Sequence, residues 1–286
     1  MRTGDLYTSS RFPFAAIFER LTEYTGTHNV SPLELYMLYQ RERRRARLTP
    51  CPDYASTSIT SGGHAYVPGL SMAQVIAANT RTARQMVDLM ESQGVLDRES
   101  IVLPVDLGHV SGWQQSDYIH FWLLVISGLD LWTRPQNSRM KSYEMHLGQA
   151  LTRHQVDLAA MNNLALSAVE RAPQYFRFAD ACVEAARLSK TDHQATFARK
   201  IVSLVDPKVS LGGQTERYFA RTLGIPVYLP RAVQPAGTLR EVVTARQLIR
   251  DIETIISFGG TVCEVAKYPA LVCIRDEQLT RVDAPS

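Results

Sequence analysis

Twice along this chain a short β-branched run opens into a pair of glycines and is followed by a helical pattern and a second apolar run. Residues 54–60 (YASTSIT) lead into Ser61-Gly62-Gly63-His64. Residues 71–93 then carry Met72, Val75, Ile76, Ala83, Met86, Val87 and Met90 at helical spacing, and 101–105 (IVLPV) read as a strand. Further on, residues 201–205 lead into Ser210-Leu211-Gly212-Gly213, a helix carrying Glu216, Ala220 and Leu223 follows, Gly224 closes it, and 226–229 read as a short buried strand. Strand, glycine loop, helix and strand in succession is the pattern of a parallel sheet, because parallel neighbours need a crossover that a helix supplies. The fold class expected is α/β.

The rest of the chain arranges itself around those two units. Residues 1–50 read as a helical arm, with helices over 14–25 and 31–47; Ser31-Pro32 starts the second, and Thr49-Pro50-Cys51-Pro52 ends it. Such an arm is a candidate contact for a homo-oligomer. Residues 51–235 form the α/β domain, and 236–286 a C-terminal extension with a helix over 239–256 and strands over 262–265 and 271–274. Tyr118, Phe121, Trp122, Val125 and Ile126 keep helical spacing, so 114–127 reads as an amphipathic helix whose aromatic stripe is core. About 137–190 the chain is alanine-rich and helical, broken near Pro173, and reads as an insertion. Asn79 falls on the apolar stripe of 71–93 and is expected to be a buried amide with its hydrogen bonds made.

Charge and cysteine usage narrow the class. The 286 residues carry a net charge of +3, and the one basic run, RERRRAR over 41–47, lacks interleaved aromatics. It reads as a solvated helix face, so no nucleic-acid polymer is expected as a partner. Cys51, Cys182, Cys263 and Cys273 form no metal-like spacing, which suits a reducing compartment. The N-terminus lacks the apolar core of a signal peptide, and no apolar run is long enough to span a bilayer. A cytoplasmic protein with no membrane partner, no cofactor and no metal is expected.

The second unit carries the chemistry. Unpaired N–H groups at a helix N-terminus attract anions, and glycines allow a phosphate close to the backbone. Glu216, read in the first turn, would feel the same positive end, which favours its ionised form. The plain alternative is that Ser210 is an ordinary N-cap and Glu216 a solvated acid.

The spacing Ser210-x-Gly212-x-x-x-Glu216-x-x-x-Ala220, with Gly224-x-Pro226-Val227, resembles the active-site segment of the nucleoside 2-deoxyribosyltransferase superfamily. It is most similar to the branch of 2′-deoxynucleoside 5′-phosphate N-hydrolases and related nucleotide N-glycosidases. Ser58-Ile59-Thr60-Ser61-Gly62-Gly63-His64 resembles the first loop of that branch, with one residue more between the isoleucine and the glycines. The resemblance implies a flavodoxin-like parallel sheet flanked by helices. It also implies cleavage of the N-glycosidic bond of a nucleoside or nucleoside 5′-phosphate, by hydrolysis or base transfer. Glu216 would be the nucleophile and Ser210 a phosphate ligand. Ser58, Gly62 and Gly63 would line the sugar-phosphate pocket with Gly212 and Gly213, and His64 would stand where the family has a positive side chain. The branch carries Ala-Asp before the strand where this chain has Arg199-Lys200, and Asp192 is the nearest counterpart of its positioning acid. Glu144 repeats the serine-to-glutamate spacing from Ser138 but lacks the glycine, which makes it the rival nucleophile. Two other readings are a non-catalytic nucleotide sensor and a lysine-decarboxylase-like phosphoribohydrolase. The loop of the latter is only partly matched by Gly212-Gly213-Gln214-Thr215-Glu216.

Overall fold

The computed structural model describes residues 12–50, 52–57, 59, 69–92, 94, 96–131, 136–189, 198, 200–204, 210–233, 242–243 and 270–275. Two helices come first, α1 (Pro13–Thr25) and α2 (Pro32–Arg45). β1 (Asp53–Ser56), α3 (Met72–Ser92) and β2 (Ile101–Val102) form the first expected unit. Four helices follow: α4 (Gln115–Ser127), α5 (Gln136–Arg153), α6 (Leu158–Asn162) and α7 (Ala168–Ser189). β3 (Ile201–Ser203), α8 (Leu211–Thr222) and β4 (Val227–Val233) form the second unit, and β5 (Val242–Val243) and β6 (Ala270–Arg275) complete the described strands.

The fold is α/β, mostly helical, around one small sheet. Its strand order is β2-β1-β3-β4-β5, with β6 also paired to β4. β2, β1, β3 and β4 are mutually parallel, while β5 and β6 run antiparallel to β4. Alternation along the strands splits their side chains between two cores. Tyr54, Val102, Ile201 and Val227 enter one cluster with α1, α2, α4, α5, α7 and α8. Ala55, Ile101, Val202 and Tyr228 face the other, where α3 supplies Ala83, Met86, Val87 and Met90. Burial on both faces is why Ile101-Val102 and Ile201-Val202 are successive apolar residues rather than alternating ones.

Several local expectations change in the structure. The strand expected over 101–105 stops at Val102 because Pro104, lacking an N–H, opens a 3-10 turn at Pro104–Asp106. The first strand ends at Ser56 rather than at residue 60. α4 is not amphipathic along its second half: Phe121 to Ser127 are all buried, since α2, α6, α7 and α8 pack around it. α7 runs through Pro173 without a break. The carbonyl that proline leaves unpaired belongs to Val169, which is exposed and open to water. Met72, expected on the buried stripe of α3, is 58% exposed at the helix start. The N-terminal segment, read as an arm or packing extension, contributes Phe14, Ile17, Phe18, Leu35 and Tyr36 to the main cluster, as a packing extension would. The helix expected over 239–256 is corrected at Val242–Val243, which form β5 beside β4; the rest of that stretch and the strand expected over 262–265 lie outside the described residues. Among the described residues no helix is long and apolar enough to cross a membrane.

The turn from α8 into β4 shows how sequence delivers a strand to the sheet. Gly224 takes a left-handed conformation (φ +78°), its N–H reaches the Arg221 carbonyl at 2.9 Å, and the N–H of Ile225 reaches that of Ala220 at 2.8 Å. This pair of bonds is a Schellman cap, and Ile225 is buried beyond it. A side chain at residue 224 would meet the backbone cost of the left-handed region, so Gly224→Ala should destabilise the fold by about 1–2 kcal/mol. Urea unfolding checks this; an unchanged midpoint would show that the turn relaxes freely.

Candidate active site

Glu216 is where the two halves of the sheet meet a helix. Ser210 is the N-cap of α8: its Oγ accepts the Gly213 N–H at 3.1 Å, and its carbonyl accepts that of Gln214 at 3.0 Å. The helix therefore starts at Leu211, and Gly212 and Gly213 belong to its first turn rather than to a loop. This corrects the position of Glu216, which is the sixth helical residue, in the second turn. It lies one turn ahead of Phe219 and Ala220, both buried on the stripe that packs toward the sheet. The same stripe points Glu216 at the carboxyl end of β1.

β1 meets it with two hydroxyls. Tyr54 and Ser56 are two residues apart on a strand and so share the α8 face, while Ala55 points to the opposite core. The Tyr54 hydroxyl donates to Oε1 of Glu216 at 2.7 Å, and Ser56 Oγ donates to Oε2 at 2.5 Å. Ser56 is paired in register with Ser203, the last residue of β3. The carboxyl group thus sits at the ends of two adjacent parallel strands, from which both connecting loops depart.

Burial governs its protonation. Glu216 is 5% exposed, and that desolvation pushes its pKa up to about 7 against the opposing pull of the Ser56 and Tyr54 hydrogen bonds and the nearby Arg217 cation. The expectation that the helix end would favour the ionised form is overturned, because the macrodipole fades beyond the first turn while burial is nearly complete. Burial, then the charge of Glu216 and the hydrogen bond to it, hold the Tyr54 pKa well above its ordinary value. Tyr54 therefore remains a donor. The centre is thus a carboxyl group gripped at both oxygens, with its pKa raised toward neutrality by burial.

The other expected residues divide clearly. Ser210 is buried and spends an Oγ lone pair on its cap, with its O–H still free to donate. Gly213 gives its N–H to that cap, which leaves the N–H groups of Leu211 and Gly212 without an intrahelical acceptor. Gly212 is close to α4: a Cβ there would meet Ile119 Cδ1 at 3.3 Å, so that side chain would have to shift by a few tenths of an ångström. Ser58, Gly62, Gly63 and His64 lie outside the described residues, as does Asp192. Ile59, between them, is held: its carbonyl accepts a 2.9 Å hydrogen bond from Asn79 Nδ2, so the amide on the apolar stripe of α3 is buried and bonded as expected. Glu144 is exposed on α5. Sequence reasoning missed Tyr54 and Ser56, although the Tyr-x-Ser spacing in a strand entering the first loop was the available signal. Among the described residues no group of His, Cys, Asp and Glu could hold a metal ion.

A carboxyl group whose folded pKa is raised stabilises the fold fully below its unfolded value near 4.5 and loses that contribution as pH rises through about 7. A shift of this size corresponds to roughly 3 kcal/mol. Glu216→Gln, which keeps the shape and remains neutral, should remove that loss. Its stability relative to the parent should therefore improve by roughly 3 kcal/mol between about pH 5 and about pH 8. Urea unfolding of both chains at the two pH values measures it; parallel pH profiles would show that Glu216 is not buried as described.

Comparison with protein-family models, with curated proteins and with solved structures found no match, so what this centre does rests on its own geometry.

Proposed function

We propose that the chain cleaves the N-glycosidic bond of a nucleoside or nucleoside 5′-phosphate, with Glu216 as the nucleophile. The observation that carries the reading is the Glu216 carboxyl gripped at both oxygens by Tyr54 and Ser56 at the ends of β1 and β3. The chain turns one way from β1 to β2 and the other way from β3 to β4, so the topological switch point, where α/β sheets bind ligands, falls between β1 and β3. The same order supports a flavodoxin-like reading of the sheet.

Glycosidic cleavage passes through an oxocarbenium-like state that a fixed carboxylate stabilises and can trap. In the first step a Glu216 oxygen bonds to the anomeric carbon as the carbon–nitrogen bond breaks, and the base departs with the bonding electrons and takes up a proton. In the second, water attacks the same carbon and the ester opens, or a second base attacks and transfer results. Tyr54 and Ser56 orient the carboxylate and bear part of its charge as it forms and is released. The Ser210 hydroxyl and the N–H groups of Leu211 and Gly212 suit a 5′-phosphate. By the family resemblance, Ser58, Gly62, Gly63 and His64 would line the same pocket. A cytoplasmic location fits such a substrate.

Because the nucleophile must be ionised, kcat/KM should rise with pH through about 7, the value to which burial raises Glu216. Glu216→Gln should lose several orders of magnitude in base release while still binding substrate. Tyr54→Phe should lose about tenfold to a hundredfold, since one charge-assisted hydrogen bond goes. Glu144→Gln should match the parent. Chromatographic detection of free base and mass spectrometry of quenched reactions provide the readouts. Turnover by Glu216→Gln, or a sugar adduct on another residue, would overturn the assignment. Nucleotide binding with no base release from any nucleoside or nucleotide would favour the sensor.

A further inference from the structure

The basic run at the end of α2 divides in an unexpected way. Arg41 and Arg45 pair with Glu42 at 3.2 and 3.0 Å, and Arg44 pairs with Asp130 at 2.6 Å, all on the outer side of the helix. Arg43 is turned inward and is only 8% exposed. Its Nε and Nη1 are buried without a hydrogen-bond partner, and among the described residues no carboxylate lies within ion-pairing distance. One turn earlier on the same face, Tyr39 is buried with an unpartnered hydroxyl. Its ring lies stacked on Phe18 at 5.5 Å.

Their neighbours on the helix are fully engaged, which makes the contrast informative. The Tyr36 hydroxyl donates to the Leu129 carbonyl at 2.8 Å. Gln40 donates to Tyr36 at 3.0 Å and to Leu129, and accepts the Leu131 N–H at 3.2 Å. Buried donors are normally satisfied, and a buried cation without a counter-charge is costlier still. The position of Arg43 in the last turn of α2 lets the negative helix end offset some charge, but a dipole accepts no hydrogen bond from Nε or Nη1. What the pair lacks is an acceptor carrying negative charge.

We propose that Arg43 and Tyr39 form a binding site for a small oxyanion, a phosphate or carboxylate group, at the C-terminal end of α2. The site is distinct from the Glu216 centre. Guanidinium suits it because it offers several fixed donors and holds its charge when desolvated, and the Tyr39 hydroxyl supplies a further donor on the same face.

The test is thermal unfolding of the full chain titrated with inorganic phosphate, with acetate, and with chloride at matched ionic strength. A saturable rise in Tm with phosphate or acetate but not chloride is expected, and the more effective of the two identifies the anion. Arg43→Met should abolish that rise, and Tyr39→Phe should weaken the apparent affinity several-fold. Arg43→Lys, which keeps the charge but loses the fork of donors, should weaken it about tenfold. Where Arg43→Met does not fold, Arg43→Lys carries the comparison, and an unchanged affinity overturns the site. No saturable rise in the parent, or a rise that survives in Arg43→Met, also overturns it. A rise lost in Ser210→Ala but kept in Arg43→Met would assign the anion to the start of α8, against this site and in favour of the phosphate role proposed there.

Discussion

β1 is an interior strand of the sheet, with β2 on one side and β3 on the other, and its alternate side chains feed two different cores. That constraint shapes both the packing and the Glu216 centre. Ala55 must be small and apolar where α3 crosses, and Tyr54 must be long enough to reach α8 across the opposite face. Because the side-chain period of a strand is two, Ser56 is forced onto the same side as Tyr54. A slip of one residue in register would send both hydroxyls to the α3 face and leave Glu216 buried with no donor.

The Glu216 centre sets two opposed effects against each other, of which burial is the larger. Full burial penalises the carboxylate, while two hydroxyls and an adjacent guanidinium favour it, and the outcome lies near neutrality. A carboxyl group in that range is suited to forming and releasing a bond at physiological pH, whereas a solvated glutamate would be a permanently ionised, well-hydrated and weaker nucleophile. The cap at Ser210 and the close passage of Ile119 over Gly212 fix the start of α8, and with it the height at which Glu216 meets β1.

The helical mass around the sheet has its own logic. The connection from β2 to β3 carries four helices, and α4 among them is enclosed on every side along its second half. Its aromatics join α1 and α2 to the sheet: Phe18 packs against Trp122, and Trp122 against Tyr54. Helices that come first in the chain thus support the strand that carries the centre. Arg43 at the end of α2 is one of the places where this packing leaves buried polar atoms unpartnered, and Trp122 Nε1 is another.

Local pattern alone determined the α/β class, the helix over Met72–Ser92 and the glycine that ends α8. These depend on periodicities of two and 3.6, on glycine conformation and on residues near in sequence. Tertiary structure decided the rest. Glu216 looked like a first-turn anion because Gly212 and Gly213 read as loop, whereas the Ser210 cap, which the residue type already allowed, starts the helix at Leu211. Tyr54 and Ser56 read as strand filler because their partner lies some 160 residues further along the chain. Pro173 passed for a helix break because the exposure of Val169, which lets its carbonyl meet water, is a property of the packed surface. The pKa of Glu216 was equally hidden, since desolvation is summed over every atom that excludes water and no short stretch of chain contains that sum.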